Sequence, residues 1–170
     1  MKTLEQWQED GEYLEFNGHR IFTKQAGNTG APVLLLIHGY PTASWDWEGI
    51  WDELAQQYHV ITLDMLGFGL SDKPKNYDYL IAKQADLYQY FLRQLGVQNY
   101  HILAHDYGDT VAQELLARQL ENTPYSKISS VCFLNGGLFP ETHKPVLIQK
   151  LLLSPIGGLI ARLTTKAKLE

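Results

Sequence analysis

The sequence has little cysteine, no long apolar run and no excess of positive charge. Its 170 residues include one cysteine, Cys132, so no disulfide can form within the chain; we expect Cys132 in the core and the protein in a reducing compartment. No 18 consecutive residues are apolar, and polar residues and a proline interrupt the nearest candidate, 146–163, which excludes a membrane span there. The net charge of −5 gives no reason to expect nucleic acid or an anionic membrane as a partner.

Patterns for binding metal or phosphate are also missing. No pair of His, Cys or carboxylate side chains has the spacing of metal ligands, and the glycines at 67 and 69 lack the context of a phosphate-binding loop. We therefore expect no metal and no cofactor. Residues 1–7 carry charges and Gln where a signal peptide has its apolar stretch, so we expect a cytoplasmic protein.

Apolar runs and amphipathic segments alternate along the chain, which predicts an α/β protein with a mainly parallel sheet. Runs without polar alternation, typical of strands buried on both faces, lie at 33–37, 60–63 and 128–134. Segments with helical spacing lie at 45–58 and 79–95, the second ended by Gly96.

The predicted elements divide the chain into three parts. Residues 1–32 contain a β-hairpin, because Asn17 and Gly18 favour a tight two-residue turn. Residues 33–141 hold the α/β core. Residues 142–170 contain short apolar runs with Pro and Gly, which predict short helices packed on the sheet.

A strand at 100–104 runs into a helix with almost no loop between them, and Asp106 lies at the corner. Ala104 and Gly108 flank it, and small residues are what such a sharp turn demands. A carboxylate at the corner is a nucleophile without a base to activate it, and the helix N-terminus favours its ionised form. Asp is also a favoured helix N-cap, so a cap without chemistry is the alternative.

Two further loops follow predicted strands, at 38–41 and at 64–71. Ligands of open α/β sheets bind outside the carboxyl ends of the strands. We therefore expect these loops and Asp106 to converge on one site.

The three motifs together resemble the α/β-hydrolase fold, a mostly parallel sheet flanked by helices. An Asp at the corner is similar to the branch of epoxide hydrolases and haloalkane dehalogenases. Within it, residues 71–74, 105–109 and 135–143 are similar to the group around the mesoderm-specific transcript protein. The resemblance implies a hydrolase of small molecules, and it implies that residues 142–170 begin a helical cap.

The resemblance also assigns roles to residues of the site. Asp106 attacks an electrophilic carbon of the substrate and forms an alkyl ester, which a His-activated water then cleaves. The backbone N–H groups of Tyr40 and Tyr107 form an oxyanion hole. The supporting residues around them are His38, Gly39, Pro41, His105 and Gly108. We expect a structural hydrogen-bonding role for His38, a packing role for His105, and a rigid loop at Pro41.

Two departures separate this sequence from the dehalogenases and from a complete active site. Tyr40 and Tyr107 stand where dehalogenases usually have halide-binding Asn and Trp, which favours an epoxide hydrolase over a dehalogenase. The family's catalytic acid and His follow later strands, and no counterpart occurs here, with Asn135 at one alternative position of the acid. We expect a fragment that is inactive or limited to one turnover, with a non-catalytic binding protein as the alternative.

Overall fold

The computed structural model describes residues 2–121 and 125–136. The strands in this part of the chain are β1 (Glu12–Phe16), β2 (His19–Ala26), β3 (Val33–Ile37), β4 (His59–Leu63), β5 (Asn99–His105) and β6 (Lys127–Leu134). The α-helices are α1 (Leu4–Glu9), α2 (Glu48–Leu54), α3 (Ile81–Gln94) and α4 (Tyr107–Glu121). A short 3-10 helix, Ser44–Trp47, precedes α2.

The strands form one sheet in the order β1-β2-β4-β3-β5-β6. The pairings β1–β2 and β2–β4 are antiparallel, whereas β4, β3, β5 and β6 are parallel to one another. Ile37 at the end of β3 pairs with Ala104 near the end of β5. The predicted α/β class is therefore confirmed, and the carboxyl ends of β3, β4 and β5 meet at one edge.

Strands β3 and β4 are buried on both faces, as the unalternating apolar runs at 33–37 and 60–63 predict. Leu35 and Ile37 of β3 pack into a cluster with residues of α3 and α4. Leu34 and Leu36 pack on the opposite face, where three tryptophans, Trp7, Trp47 and Trp51, are buried. Full burial of one such aliphatic side chain stabilises the fold by about 1.5–3 kcal/mol, so β3 is a stiff support for the loop that follows it.

Local turn signals have the predicted geometry. Asn17 and Gly18 both have positive φ, 51° and 78°, which matches a tight hairpin turn between β1 and β2. Gly96 follows the last turn of α3 with φ of 68°.

Two helical segments differ from the prediction. Helix α1 was not predicted; Thr3 and Gln6 form a capping box at its start, and it buries Trp7 against the sheet. The helix predicted over 45–58 is a 3-10 turn followed by α2, which ends at Leu54. The chain turns after Leu54, and the N–H of His59, the first residue of β4, donates to the carbonyl of Pro32, the residue before β3, at 3.0 Å.

The expectation that Cys132 is buried is wrong. Cys132 is exposed, and Ser129 and Leu134 of the same strand are exposed as well. Strand β6 is the last in the sheet order, so within the described residues only β5 flanks it. An apolar run therefore marked the strand correctly and overstated its burial.

The interpretation of residues 142–170 as the start of a cap, and the end of the core at 141, lie outside the described residues. Within the described ranges, no helix combines the length and apolarity needed to cross a bilayer.

Candidate active site

The corner between β5 and α4 has a backbone conformation that a helix cap does not need. Asp106 has φ of +53°, in the left-handed region that non-glycine residues rarely adopt, whereas N-cap residues are extended. The N–H of Asp109 donates to the main-chain carbonyl of Asp106 at 3.0 Å, while the Asp106 side chain binds across the site. The Asp106 side chain is therefore engaged by Tyr40, not by the N–H groups of the α4 N-terminus as in a side-chain cap.

The backbone of Tyr40 hydrogen-bonds the carboxylate of Asp106. Its backbone N–H donates to Oδ1 of Asp106 at 2.9 Å. Within the described residues Oδ2 of Asp106 accepts no hydrogen bond, so one carboxylate oxygen is free. Tyr107 is the first residue of α4, which places its N–H among the unpaired donors of the helix N-terminus. The peptide bond between Tyr40 and Pro41 is cis.

Two glycines allow the backbone segments to approach so closely. A Cβ on Gly39 would lie 2.8 Å from the Cβ of Asp106 and 3.0 Å from Nδ1 of His105. A Cβ on Gly108 would lie 2.5 Å from the carbonyl oxygen of Ile37. Both positions therefore need glycine to bring β3, β5 and α4 together.

His38 is fully buried behind the 38–41 loop and connects two strand ends. Its Nδ1 lies 2.9 Å from the Gly39 carbonyl, and its Nε2 accepts from the N–H of Met65 at 3.0 Å. These bonds fit a neutral ring with the proton on Nδ1. Burial lowers the pKa of His38, so His38 stays neutral near pH 7.

His105 precedes Asp106 and lies on the opposite side of β5 from Ala104. Its ring meets that of Trp47 edge to face, with centroids 6.5 Å apart. Trp47 belongs to the cluster that does not contain Ala104. The structure thus brings His105 near the corner without placing it in the cavity.

The loop after β4 is held by a buried carboxylate. Asp64 accepts from the N–H of Ser44 at 2.7 Å and from that of Leu70 at 2.6 Å. Ser71 donates to the Asp64 carbonyl at 2.6 Å and accepts from the Phe22 N–H at 2.9 Å. This loop is consequently fixed against both the sheet and the 3-10 helix.

A cavity of about 480 Å³ opens between the loops. Its lining is Tyr40, Pro41, Gly67, Phe68, Gly69, Lys73, Tyr79 and Tyr107. Phe68 is central, with ring centroids 6.3 Å from Tyr40 and 5.7 Å from Tyr107. Burial raises the pKa of the Tyr107 phenol, which therefore stays protonated. The three predicted loops thus converge on one aromatic cavity beside the Asp106 carboxylate.

Sequence reasoning missed Asp109 and the role of Phe68. An acidic residue in the first turn of a helix is so common that nothing distinguished Asp109. It is 1% exposed, and burial raises its pKa to about 6. Within the described residues, no cluster of His, Cys, Asp and Glu could hold a metal ion.

The fold and the corner define a class of protein. The family model described as alpha/beta hydrolase fold matches residues 32–154, and the chain belongs to this family. The chain is 47% identical over 169 residues to the mesoderm-specific transcript protein of Mus musculus, covering 96% of this chain and 50% of the mouse protein. The resemblance inferred from the motifs is therefore confirmed.

Two further proteins are similar to this chain with lower identity and over a smaller share of the chain. Epoxide hydrolase 1 of Caenorhabditis elegans is 34% identical over 110 residues, which are 64% of this chain and 27% of the worm protein. The crystal structure of an α/β-hydrolase fold protein from Burkholderia ambifaria matches with a TM-score of 0.68 and 28% identity, over 89% of this chain and 56% of that one. The chain spans about half the length of the mouse protein.

Proposed function

We propose that this chain carries the nucleophile of an epoxide hydrolase-like enzyme that acts on a small apolar electrophile. One observation carries the proposal: Asp106, strained at φ of +53°, offers a free oxygen beside an aromatic cavity while Tyr40 binds the other. Backbone strain held in place by surrounding structure is common at functional sites.

The two carboxylate oxygens have different roles. Oδ2 of Asp106 attacks the substrate carbon, a carbon–oxygen bond forms, and the epoxide carbon–oxygen bond breaks. The released alkoxide takes a proton from water or from an acid. Oδ1 becomes the carbonyl oxygen of the ester and carries the negative charge when water attacks it. The N–H of Tyr40 already donates to Oδ1, and such a donor is worth about 3–4 kcal/mol in other enzymes.

The lining of the cavity supports an apolar substrate and disfavours a dehalogenase. Tyr40, Phe68 and Tyr107 present aromatic rings. Neither tyrosine has a side-chain N–H, which the expected halide site of a dehalogenase requires. The similarity to a worm protein named epoxide hydrolase favours the same choice.

The chain on its own is expected to form the ester and to release it slowly. Its six histidines are at 19, 38, 59, 101, 105 and 143. His38 is buried and hydrogen-bonded on both nitrogens, and His105 faces Trp47. A positioned base contributes about 10²–10⁴-fold, and no histidine of the described residues is placed as one, so we expect the ester to accumulate.

Intact-mass spectrometry after incubation with epoxides and haloalkanes tests the proposal. An epoxide adds its whole mass, because ring opening loses no atom, whereas a haloalkane adds its mass less that of the hydrogen halide. We expect the epoxide increment, mapped by peptide analysis to Asp106 and absent from Asp106→Asn. A folded chain without adduct, or an equal adduct in Asp106→Asn, would contradict the proposal and favour a binding role.

A further inference from the structure

A buried carboxylate beneath the corner has no role in the chemistry described so far. Asp109 is in the first turn of α4 and is 1% exposed. Neither of its oxygens makes a hydrogen bond within residues 2–121 and 125–136. Burying a polar group without a partner is costly, so such a group needs an explanation.

The carboxylate lies against the turn that follows β6. A Cβ on Gly136 would overlap Oδ2 of Asp109 and would lie 2.6 Å from its Cγ. Only a glycine fits there, and Asn135 beside it has φ of +56°. The Asp109 side chain and the 135–136 turn are therefore in close contact.

The same turn is connected to the proposed nucleophile. The N–H of Asp106 donates to the carbonyl of Leu134 at 3.0 Å, and the N–H of Asp109 donates to the carbonyl of Asp106, also at 3.0 Å. Both peptide groups of Asp106 are thus held by elements that Asp109 contacts, its own helix and the end of β6.

We propose that Asp109 is a positioning residue, whose side chain packs against the 134–136 segment and thereby keeps the Asp106 backbone in its observed conformation at the corner. The proposal rests on the proposed function for its effect on rate, and on the contacts alone for its effect on structure.

The charges around Asp109 make its contribution depend on pH. The groups that act on it are His105 on β5, Asp106 at the corner, and the backbone amides of Leu134 and Gly136. Burial is the largest cause and raises the pKa of Asp109 to about 6, with the charge of Asp106 acting in the same direction. His105 and the two amides lower the pKa and favour the charged form. Because the raised pKa means that the folded surroundings favour the neutral form, ionisation above pH 6 weakens this contact, so the corner is held better below pH 6.

The rate of ester formation with the reactive epoxide tests this role in single turnover. We compare wild type with Asp109→Asn and Asp109→Ala from pH 5 to pH 8. Asp109→Asn keeps the shape and is neutral at every pH, so it should match wild type at pH 5 and be several-fold faster at pH 8, where wild type carries the buried charge. Asp109→Ala should be slower throughout, because small displacements of reacting groups cost about 10²-fold. Glu121→Gln, at the exposed end of the same helix, is the matched control.

Hydrogen exchange of peptides covering 104–110 and 130–136 supplies a readout without chemistry. We expect faster exchange in Asp109→Ala than in Glu121→Gln, with the β1–β2 hairpin unchanged in both. A rate ratio of wild type to Asp109→Asn that stays constant with pH, or control-like exchange in Asp109→Ala, would overturn the positioning role. If wild type forms no ester, the proposed function fails and the exchange result alone decides about Asp109.

Discussion

Two carboxylates have equivalent places in the fold and different surroundings. Asp64 follows β4 and Asp106 follows β5, so both lie at the carboxyl ends of parallel strands. Asp64 is 1% exposed, and its two oxygens accept from the N–H groups of Ser44 and Leu70. Asp106 is half-buried, and one of its oxygens accepts from Tyr40.

The difference is that the same residue type, at the same edge of the sheet, has its hydrogen-bonding capacity used in one case and partly unused in the other, within the described residues. An ionised carboxylate offers about four acceptor sites on two oxygens. Both oxygens of Asp64 are engaged in fixing a loop. In the part of the chain that the structure describes, Oδ2 of Asp106 accepts no hydrogen bond, and under the proposed function this oxygen attacks the substrate.

Exchanging each carboxylate for an amide is the strongest way to break the comparison. Asp106→Asn should remove ester formation below detection, because loss of a nucleophile costs about 10⁶-fold in other enzymes. Its effect on stability should be under about 1 kcal/mol. Asp64→Asn should do the reverse and destabilise the fold by about 2–3 kcal/mol, since an amide nitrogen would face a buried donor. Intact mass and urea denaturation measure the two effects.

The contrasting variants control for each other. Asp64→Asn, measured where it is still folded, should keep ester formation within a few-fold of wild type. If Asp106→Asn and Asp64→Asn both lost ester formation and both kept wild-type stability, the two carboxylates would not have the separate roles that their hydrogen bonds indicate.

The corner itself is tested by adding one methyl group. Gly108→Ala brings a Cβ to 2.5 Å from the Ile37 carbonyl, so α4 must move away from β3. Such overpacking costs about 3 kcal/mol, and we expect slower ester formation as well. Gly49→Ala in α2 is the matched control, because nothing lies within 4 Å of its Cβ and helix propensity favours Ala there. Equal stability of the two variants in urea would contradict the close approach.

The next variant removes the hydroxyl of Ser71, which hydrogen-bonds the loop after β4 to strand β2. Ser71→Ala leaves the buried N–H of Phe22 without its acceptor and removes the bond to the Asp64 carbonyl. We expect a loss of about 2 kcal/mol in the free energy of unfolding. The exposed Ser129→Ala on β6 should change it by less than about 0.5 kcal/mol. A Ser71→Ala chain as stable as wild type would mean that this tie contributes nothing.

The smallest expected effect concerns Phe68, whose ring joins the loop after β4 to the residues around Asp106. Phe68 lies on the β4 loop and touches the rings of His38, Tyr40 and Tyr107. Phe68→Leu keeps an apolar side chain and loses the aromatic contacts, which we expect to cost about 1 kcal/mol. Thermal unfolding measures it, and an unchanged melting temperature would show that the three rings pack independently.

Much of the fold follows from local patterns. The unalternating run at 33–37 predicted a strand buried on both faces, and Asn17–Gly18 predicted the hairpin, because periodicity and turn chemistry are properties of neighbouring residues. The pattern around Asp106 identified a corner and left two meanings open. The observed φ and the contact with Tyr40, 66 residues away in sequence, argue against a side-chain cap and support the proposed nucleophile.

The features that the sequence mispredicted or missed have one cause. The sequence could not show that Cys132 is exposed, that Trp7 is buried by an extra helix, or that Asp109 is enclosed under the 135–136 turn. Each depends on which distant segment covers the residue.

The sequence alone thus predicted the α/β class, the central strands, the resemblance to the family and the corner at Asp106. Tertiary structure alone decided which carboxylate oxygens accept hydrogen bonds within the described residues and which does not. The physical reason is range: propensity and periodicity act over a few residues, whereas burial and hydrogen-bond partners are set when segments far apart in the chain come into contact.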